Sequence, residues 1–419
     1  MSVLVIDAGT TNIKTIIFEN NGNILSHNSI RVKTYYPERE CVEHKPDNWW
    51  NCFVKGLQGL SINEDIESMA ISAQGGTFLL LDKNLKPITN AFTWLDNRAK
   101  KISKSFKKKY GDDFFYKKTG HPVASWMPIC IISYIRKKKP EIYANIGRVS
   151  FVADYLHFRL TGRFFLDRTN AQMSSFYNIV EDKWDENLCA IAGIDKNMLP
   201  EIIPSGTIGG NLKKEPATFL NLREGIPVVS GGHDQYCASL GAGIKEKGDC
   251  LLSTGTAFAL LVLSDRLVFL SPEKHWKPGR YLTEGSYGIM APVSNGCCVL
   301  DWITRNFKKF DIKKLNDTTI RFIPYLLEGK GQIKNISLST KPEEIYYSAV
   351  KSIVYEIKKI VDEIESNIRI KKFFLVGGGT NIAFLPELIK QVIKTEVIVP
   401  KIKECAARGA FLLTKELKK

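Results

Sequence analysis

Residues 225–243 read GIPVVSGGHDQYCASLGAG. GIPVVSGG reads as a strand, buried on the strength of its apolar run Ile226 to Val229, and HDQYCASLGAG as a turn and helix after it. His233, Asp234 and Gln235 then crowd three polar side chains together where the strand ends, and a helix reads as beginning QYCASLGAG at Gln235. A carboxylate at such a corner has two ordinary uses. Asp is a favoured helix N-cap, and in a cleft it is a candidate general base. The residues alone leave these readings even, so the rest of the chain has to decide.

The chain has 419 residues, too many for one ordinary core, so two domains are expected. Hydrophobic residues make up 44% and charged residues 25%, as in globular proteins, which argues against disorder. No apolar run approaches the roughly 18 residues of a membrane helix. The opening MSVLVIDAGTT lacks the basic, then apolar pattern of a signal peptide. Nine cysteines include no C-x-x-C pair, and the adjacent Cys297 and Cys298 suit neither a disulfide nor zinc. With six dispersed histidines, the expectation is a reducing cytoplasm and no zinc site. The net charge of +15 invites a nucleic-acid reading. Its lysines lie in runs such as KKISKSFKKKYGDD, without interleaved stacking aromatics, so a solvated surface is the reading taken.

Along the chain, VLVIDAG, TIIFEN and ILSHNSIRV read as strands, with NGN as a hairpin turn. KPDNWWNCFVKGLQGL reads as a helix with Asp47 as its N-cap. IESMAISAQ and TFLLLDKN are strands around a glycine pair. Residues from about 96 to 200 read as mainly helical. A second module is expected to open near Gly225, dividing the chain into domains 1–224 and 225–419. It contains the strand pair GDCLLSTGTAFALLVLS, a long helix at EEIYYSAVKSIVYEIKKIVDEIESN, the strand–turn–helix FFLVGGGTNIAFLPELIKQVI, and a final helix at ECAARGAFLLTKEL.

Each module carries a Gly-Thr or Thr-Gly turn beside its first strands. In IDAGTTNIK (Ile6–Lys14), glycine lets the backbone approach an anion, and backbone N–H groups and threonine hydroxyls can bind phosphate oxygens. Asp7 could hold Mg²⁺ through water, and Lys14 could neutralise phosphate charge. A plain hairpin is the competing reading. LSTGTAFAL offers a second hydroxyl-rich turn at Thr254–Thr256, and FLVGGGTN three glycines between strand and helix. Neither the G-x-G-x-x-G pattern of dinucleotide sites nor a Walker A loop is present. Glycine turns and an isolated acid together suggest phosphoryl transfer.

These segments resemble the FGGY family of carbohydrate kinases, in the actin-like ATPase superfamily. DAGTTNIK is similar to the family's first phosphate motif, CVEHKPDNWW to its WVE…P…WW segment, and LLLDKNLKPITNAFTWLDNRAKK to a run ending in W-x-D-x-R-A. TGHPV and LTGRFFLDRTNAQMSSFYNI match further landmarks. GIPVVSGGHDQYCASLGAG and GDCLLSTGTA resemble the catalytic and second phosphate segments, and FFLVGGGTN onward the adenosine segment. The resemblance implies an α/β fold of two ribonuclease H-like, actin-like ATPase domains with a nucleotide and sugar cleft between them. It implies ATP and Mg²⁺ as cofactors. Asp234 would be the catalytic base, and Asp7 would position Mg²⁺. Thr10, Thr11, Asn12, Lys14, Thr254, Gly255 and Thr256 would surround the phosphates, and Gly378 and Gly379 would face adenosine. The last helix would pack on the first domain.

For the sugar, the resemblance points to Gln74, Gly75, Gly76, Trp94, Trp126, Asp234 and Gln235. Gln74–Gly76 stand where glycerol kinases carry Arg-Glu and many xylulokinases Met-His. Losing the Arg-Glu clamp argues against glycerol. Two glycines are expected to open space for a larger substrate. The indoles could stack on a sugar face or simply fill the core. The expected activity is ATP-dependent phosphorylation of a sugar, a ketopentose such as xylulose or ribulose. Another ketose, a sugar acid or an alditol (fuculose, gluconate or erythritol type) is the alternative. A non-catalytic nucleotide-dependent sensor of the same fold is the alternative of another class. The expected partner is a small-molecule sugar, with no nucleic acid and no membrane, and a homodimer is the candidate assembly. The late family signature is degraded: Asn335 replaces a glycine, Lys351 an acid, and the chain is shortened around residues 325–342. No role for His233 follows from the sequence.

Overall fold

The computed structural model describes residues 2–60, 65–255, 258–293, 296–307, 318–326 and 329–415. They divide into two compact units. The first comprises Met1–Gly241, Gly279–Tyr287 and Glu404–Lys419, the second Ala242–Pro278 and Gly288–Lys403.

The first unit is built on a six-stranded sheet. Its strands lie in the order Ile208–Asn211, Pro227–His233, Ile66–Ala73, Ser2–Ala8, Asn12–Glu19, Ile24–Arg31. Ser2–Ala8 is buried along its whole length, as its near-continuous apolar sequence requires of a strand covered on both faces. It pairs antiparallel with Asn12–Glu19 and parallel with Ile66–Ala73. On its other side, Ile66–Ala73 pairs parallel with Pro227–His233.

That last pairing moves the expected domain boundary. The run after Gly225 completes the first sheet, and the units divide between Gly241 and Ala242 rather than at 224/225. Apolar composition marks a buried strand but not its partner, which here lies far earlier in the chain. Gly231 and Gly232 belong to the strand, as expected. The strand runs through both to His233, with a register shift between Ser230 and Gly232. A Cβ at Gly231 would strike the backbone of Ile71, so glycine serves the close approach at this bulge.

The helix Pro46–Gln58 starts two residues earlier than an Asp47 cap would place it. Lys45 is the cap residue, Pro46 takes the first turn, and Asp47 sits inside it, where its charge suits the positive helix end. Between residues 96 and 200 the chain forms helices such as Lys100–Tyr110, Pro128–Lys138 and Val152–Thr161, interspersed with short strands.

The second unit's sheet contains, in order, Tyr287–Val293, Phe258–Ser264, Asp249–Thr254, Lys372–Val376 and Glu396–Ile398. Asp249–Thr254 pairs antiparallel with Phe258–Ser264 and parallel with Lys372–Val376. Each unit therefore has a hairpin on one side of a central strand and parallel strands on the other. The helix Pro342–Ile364 buries Ile345, Ala349, Ile353, Ile357 and Ile364 against this unit's core at helical spacing.

The final helix, Cys405–Lys415, returns to the first unit. Phe411 stacks on Phe18 with ring centroids 4.9 Å apart. Against the helix Asp234–Ala242 it packs backbone to backbone. A Cβ at Gly409 would strike the Cys237 carbonyl, and one at Gly241 the Cys405 carbonyl. Arg408 Nη1 donates to the Gly241 carbonyl at 2.6 Å.

Candidate active site

Sheet register assembles the acidic end of the site. Asp7 is the register partner of Lys14 on one side and of Ser72 on the other. Ser72 Oγ donates to Asp7 Oδ1 at 2.9 Å. Lys14 Nζ pairs with Glu404 at 2.6 Å. Burial pushes the Asp7 carboxyl up to about 6; Lys14 works against this and Asp234 adds to it. Burial disfavours the Lys14 charge, but Asp7 and Glu404 together hold its ammonium above the ordinary lysine value.

His233 ends its strand opposite Ala73, and Asp234 is the first residue of the next helix. The Asp234 side chain is 24% exposed. Burial raises its carboxyl to about 7, against a hydrogen bond from the Gln235 backbone N–H. Asp234 thus sits inside the first turn of the helix, where the positive helix end favours its charge, and its side chain stays partly open. Among the described residues, Gln235 Oε1 has no hydrogen-bond partner.

Beside these acids lies a chain of neutral polar groups. Trp94 Nε1 donates to Thr10 Oγ1 at 2.9 Å, Thr10 Oγ1 to Gln74 Oε1 at 2.9 Å, and Thr77 Oγ1 to Gln74 Oε1 at 3.0 Å. Gln74 Nε2 closes on the Gly9 carbonyl at 3.3 Å. Trp94 remains 40% exposed, so its indole can meet a ligand. Its segment is anchored through Arg98, which binds Asp96 at 2.8 Å and Glu43 at 2.5 Å. This joins the W-x-D-x-R-A run to the CVEH segment.

The two glycines do not open the expected space. A Cβ at Gly75 would meet His233 Nε2 at 2.8 Å and Met173 Cγ at 2.6 Å. One at Gly76, whose φ is +76°, would meet Trp126 Cζ3 at 2.8 Å. Neighbouring side chains fill what the glycines vacate. Thr11 is exposed at the tip of the first turn, and its carbonyl accepts from Val32 N at 2.8 Å. Asn12, half-buried, is the register partner of Arg31.

In the second unit, Thr254 is fully buried. Its hydroxyl donates to the Val376 carbonyl at 2.6 Å and accepts from Gly379 N at 3.0 Å. Both groups are thus engaged in holding the glycine turn, not presented to a ligand. Gly255 and Gly378 are exposed. Thr256 lies outside the described residues.

Several site groups escaped the sequence reading. Ser72 was visible only as one polar residue closing an apolar strand. Glu404 stands 390 residues from Lys14, and no local signal pairs them. Thr169 holds His233 by accepting its backbone N–H at 2.8 Å, and itself donates to Asp167.

Comparison with known proteins identifies the class. The model of the N-terminal domain of the FGGY family of carbohydrate kinases matches residues 2–241, and that of the C-terminal domain residues 322–414. A gluconokinase of Bacillus licheniformis is 24% identical over 98% of this chain and 86% of its own. A glycerol kinase of Thermococcus kodakarensis is 27% identical over 98% and 87%. The crystal structure of ligand-bound xylulose kinase from Lactobacillus acidophilus superposes with a TM-score of 0.92, at 21% identity, covering 99% of this chain and 89% of its own. The fold is that of kinases built from two actin-like ATPase domains. The chain belongs to the FGGY family of carbohydrate kinases, phosphotransferases that use ATP and an alcohol acceptor.

Proposed function

We propose that the chain transfers the γ-phosphoryl group of ATP to a hydroxyl of a ketopentose, xylulose or ribulose, with Asp234 as the base. The observation that carries this is Asp234 itself, a half-buried carboxylate at a strand end with its carboxyl raised to about 7. Such a group is poised to exchange a proton near neutral pH. Asp234 takes the proton of the acceptor hydroxyl. That oxygen forms a bond to the γ-phosphorus, and the bond from the γ-phosphorus to its bridging oxygen breaks, releasing ADP.

Thr10, Thr11, Asn12 and Lys14 of the first unit are proposed to meet the phosphates through backbone N–H groups, hydroxyls and the ammonium. Gly255, Gly378 and Gly379 of the second unit are proposed to take the nucleotide through backbone approach, with Thr254 as the buckle beneath them. Mg²⁺ suits Asp7. Among the described residues no group of three or more metal-ligating side chains occurs, and Mg²⁺ characteristically needs only one or two carboxylates with substrate phosphates and water. When bound, it would neutralise charge on the transferring phosphoryl group.

The ketose assignment rests on the neutral lining at Gln74, Thr10, Thr77 and Trp94, which offers hydroxyl partners rather than a cation for a sugar acid. The likeness to a gluconokinase keeps D-gluconate as the rival acceptor. The nine cysteines are free thiols, and among the described residues no helix is long and apolar enough to cross a membrane. A reducing cytoplasm is the compartment we propose.

The test is ADP release with D-xylulose, D-ribulose, D-gluconate and glycerol, for the wild type and Asp234→Asn. Turnover on a ketopentose that Asp234→Asn lowers by about a thousandfold or more, with ADP affinity kept, is expected. Wild-type turnover in the variant would overturn the base, and preference for gluconate or glycerol the substrate.

A further inference from the structure

His233 is the buried titratable group that the scheme above leaves without a task. It is held unusually well. Its backbone N–H donates to Thr169 Oγ1 at 2.8 Å, Thr169 is bound to Asp167, and Asn170 Nδ2 donates to the same carboxylate at 2.6 Å. Its ring packs edge-on against Tyr236, with centroids 5.7 Å apart. The other edge of the ring, Cδ2 and Nε2, lies over Gly75, where any side chain would collide with it. Nε2 stands 3.6 Å from Asp234 Oδ1. Nδ1 is buried and, among the described residues, has no hydrogen-bond partner.

These facts choose the tautomer. A neutral imidazole carries one proton, and an unmated buried N–H is costlier than an under-satisfied acceptor. A proton on Nδ1 would be such an orphan, whereas a proton on Nε2 faces a carboxylate. We propose that His233, protonated on Nε2 and bare on Nδ1, is the positioning residue of the catalytic base. It donates to one oxygen of Asp234 and leaves the other to receive the proton of the acceptor hydroxyl. Burial, opposed in part by Asp167, holds the ring's pKa down to about 4, so it stays a neutral donor through the physiological range. At 3.6 Å the contact is longer than a hydrogen bond, and catalytic contacts of ligand-free enzymes characteristically tighten on substrate binding. Gly75 is the partner of this device: its missing side chain is the room in which the imidazole sits.

The proposal rests on the reading of Asp234 as the base, and the tests separate the two. First, the nitrogen NMR spectrum of ¹⁵N-histidine-labelled enzyme, assigned with the His233→Gln variant, should show a neutral ring protonated on Nε2 at pH 7. A ring protonated on Nδ1, or on both nitrogens, overturns the proposal and leaves Asp234 untouched. Second, kcat and KM are measured with ATP and the best acceptor among D-xylulose, D-ribulose and D-gluconate. His233→Leu removes the donor and should lower kcat about ten- to a hundredfold while KM for ATP stays within about twofold. His233→Gln, whose amide reaches where Nε2 stood, should recover most of that loss. A wild-type kcat in His233→Leu, with Asp234→Asn inactive, overturns the positioning role alone. Equal losses in Leu and Gln variants also overturn it, because a packing role would not distinguish them by hydrogen-bond donation. Should His233→Leu fail to fold, the spectrum still decides.

Discussion

Asp234 carries two consequences that share one cause. Burial raises its carboxyl to about 7, so the protonated form predominates below that pH and cannot accept a proton. The kcat/KM for the acceptor should therefore fall on the acid side, with a midpoint near 7 and about tenfold per pH unit beyond it. A flat profile down to pH 5 would contradict this. The same shift bears on stability. A carboxyl whose folded pKa is raised stabilises the fold while protonated, and that contribution is lost as pH rises through the folded value. Asp234→Asn removes a buried charge, so its melting temperature should exceed the wild type's at pH 8, with the gap shrinking toward pH 5. Trp94→Phe probes the other side of the site. It keeps the aromatic face but deletes the donor to Thr10. Acceptor KM should rise several-fold, with ADP affinity unchanged by calorimetry.

The helix beginning at Asp234 is placed by a second helix from the other end of the chain. Gly241 and Gly409 bring the two backbones together so closely that neither position has room for a methyl group. Gly409→Ala should therefore destabilise the protein by about 1–3 kcal/mol, the ordinary cost of overpacking, and lower kcat through the displaced helix. Thermal unfolding and ADP-release assays would check both. Helix and strand positions were largely legible in the sequence, because apolar periodicity and glycine punctuation are local signals. Their limits were less so. GIPVVSGG was legible as a strand, but not the bulge that brings Gly231 against Ile71, because the partner strand lies far earlier in the chain. Asp47 looked like a cap because Asp often is, but Pro46 claimed the first helical position.

For the whole molecule, the terminal segment is the clearest case of a long-range requirement. Residues 404–419 complete the first unit, supplying Glu404 to Lys14 and Phe411 to Phe18. A chain ending at residue 403 should lose cooperative unfolding of the first unit and nucleotide binding, measured by circular dichroism and ADP calorimetry. Native-like melting would show that the segment is dispensable. Chemistry-bearing types in order along the chain, from DAGTTNIK to SGGHDQY, already pointed to phosphoryl transfer, since a carboxylate, small hydroxyl residues and glycines keep their character wherever they fold. Pairing was beyond such a reading. That Asp7 meets Ser72, that Lys14 meets Glu404, that Thr254 is occupied beneath Gly379, and that His233 fills the room left by Gly75 are consequences of sheet register and helix crossing. Local sequence encodes what a residue can do; only the folded backbone decides which distant group it does it with.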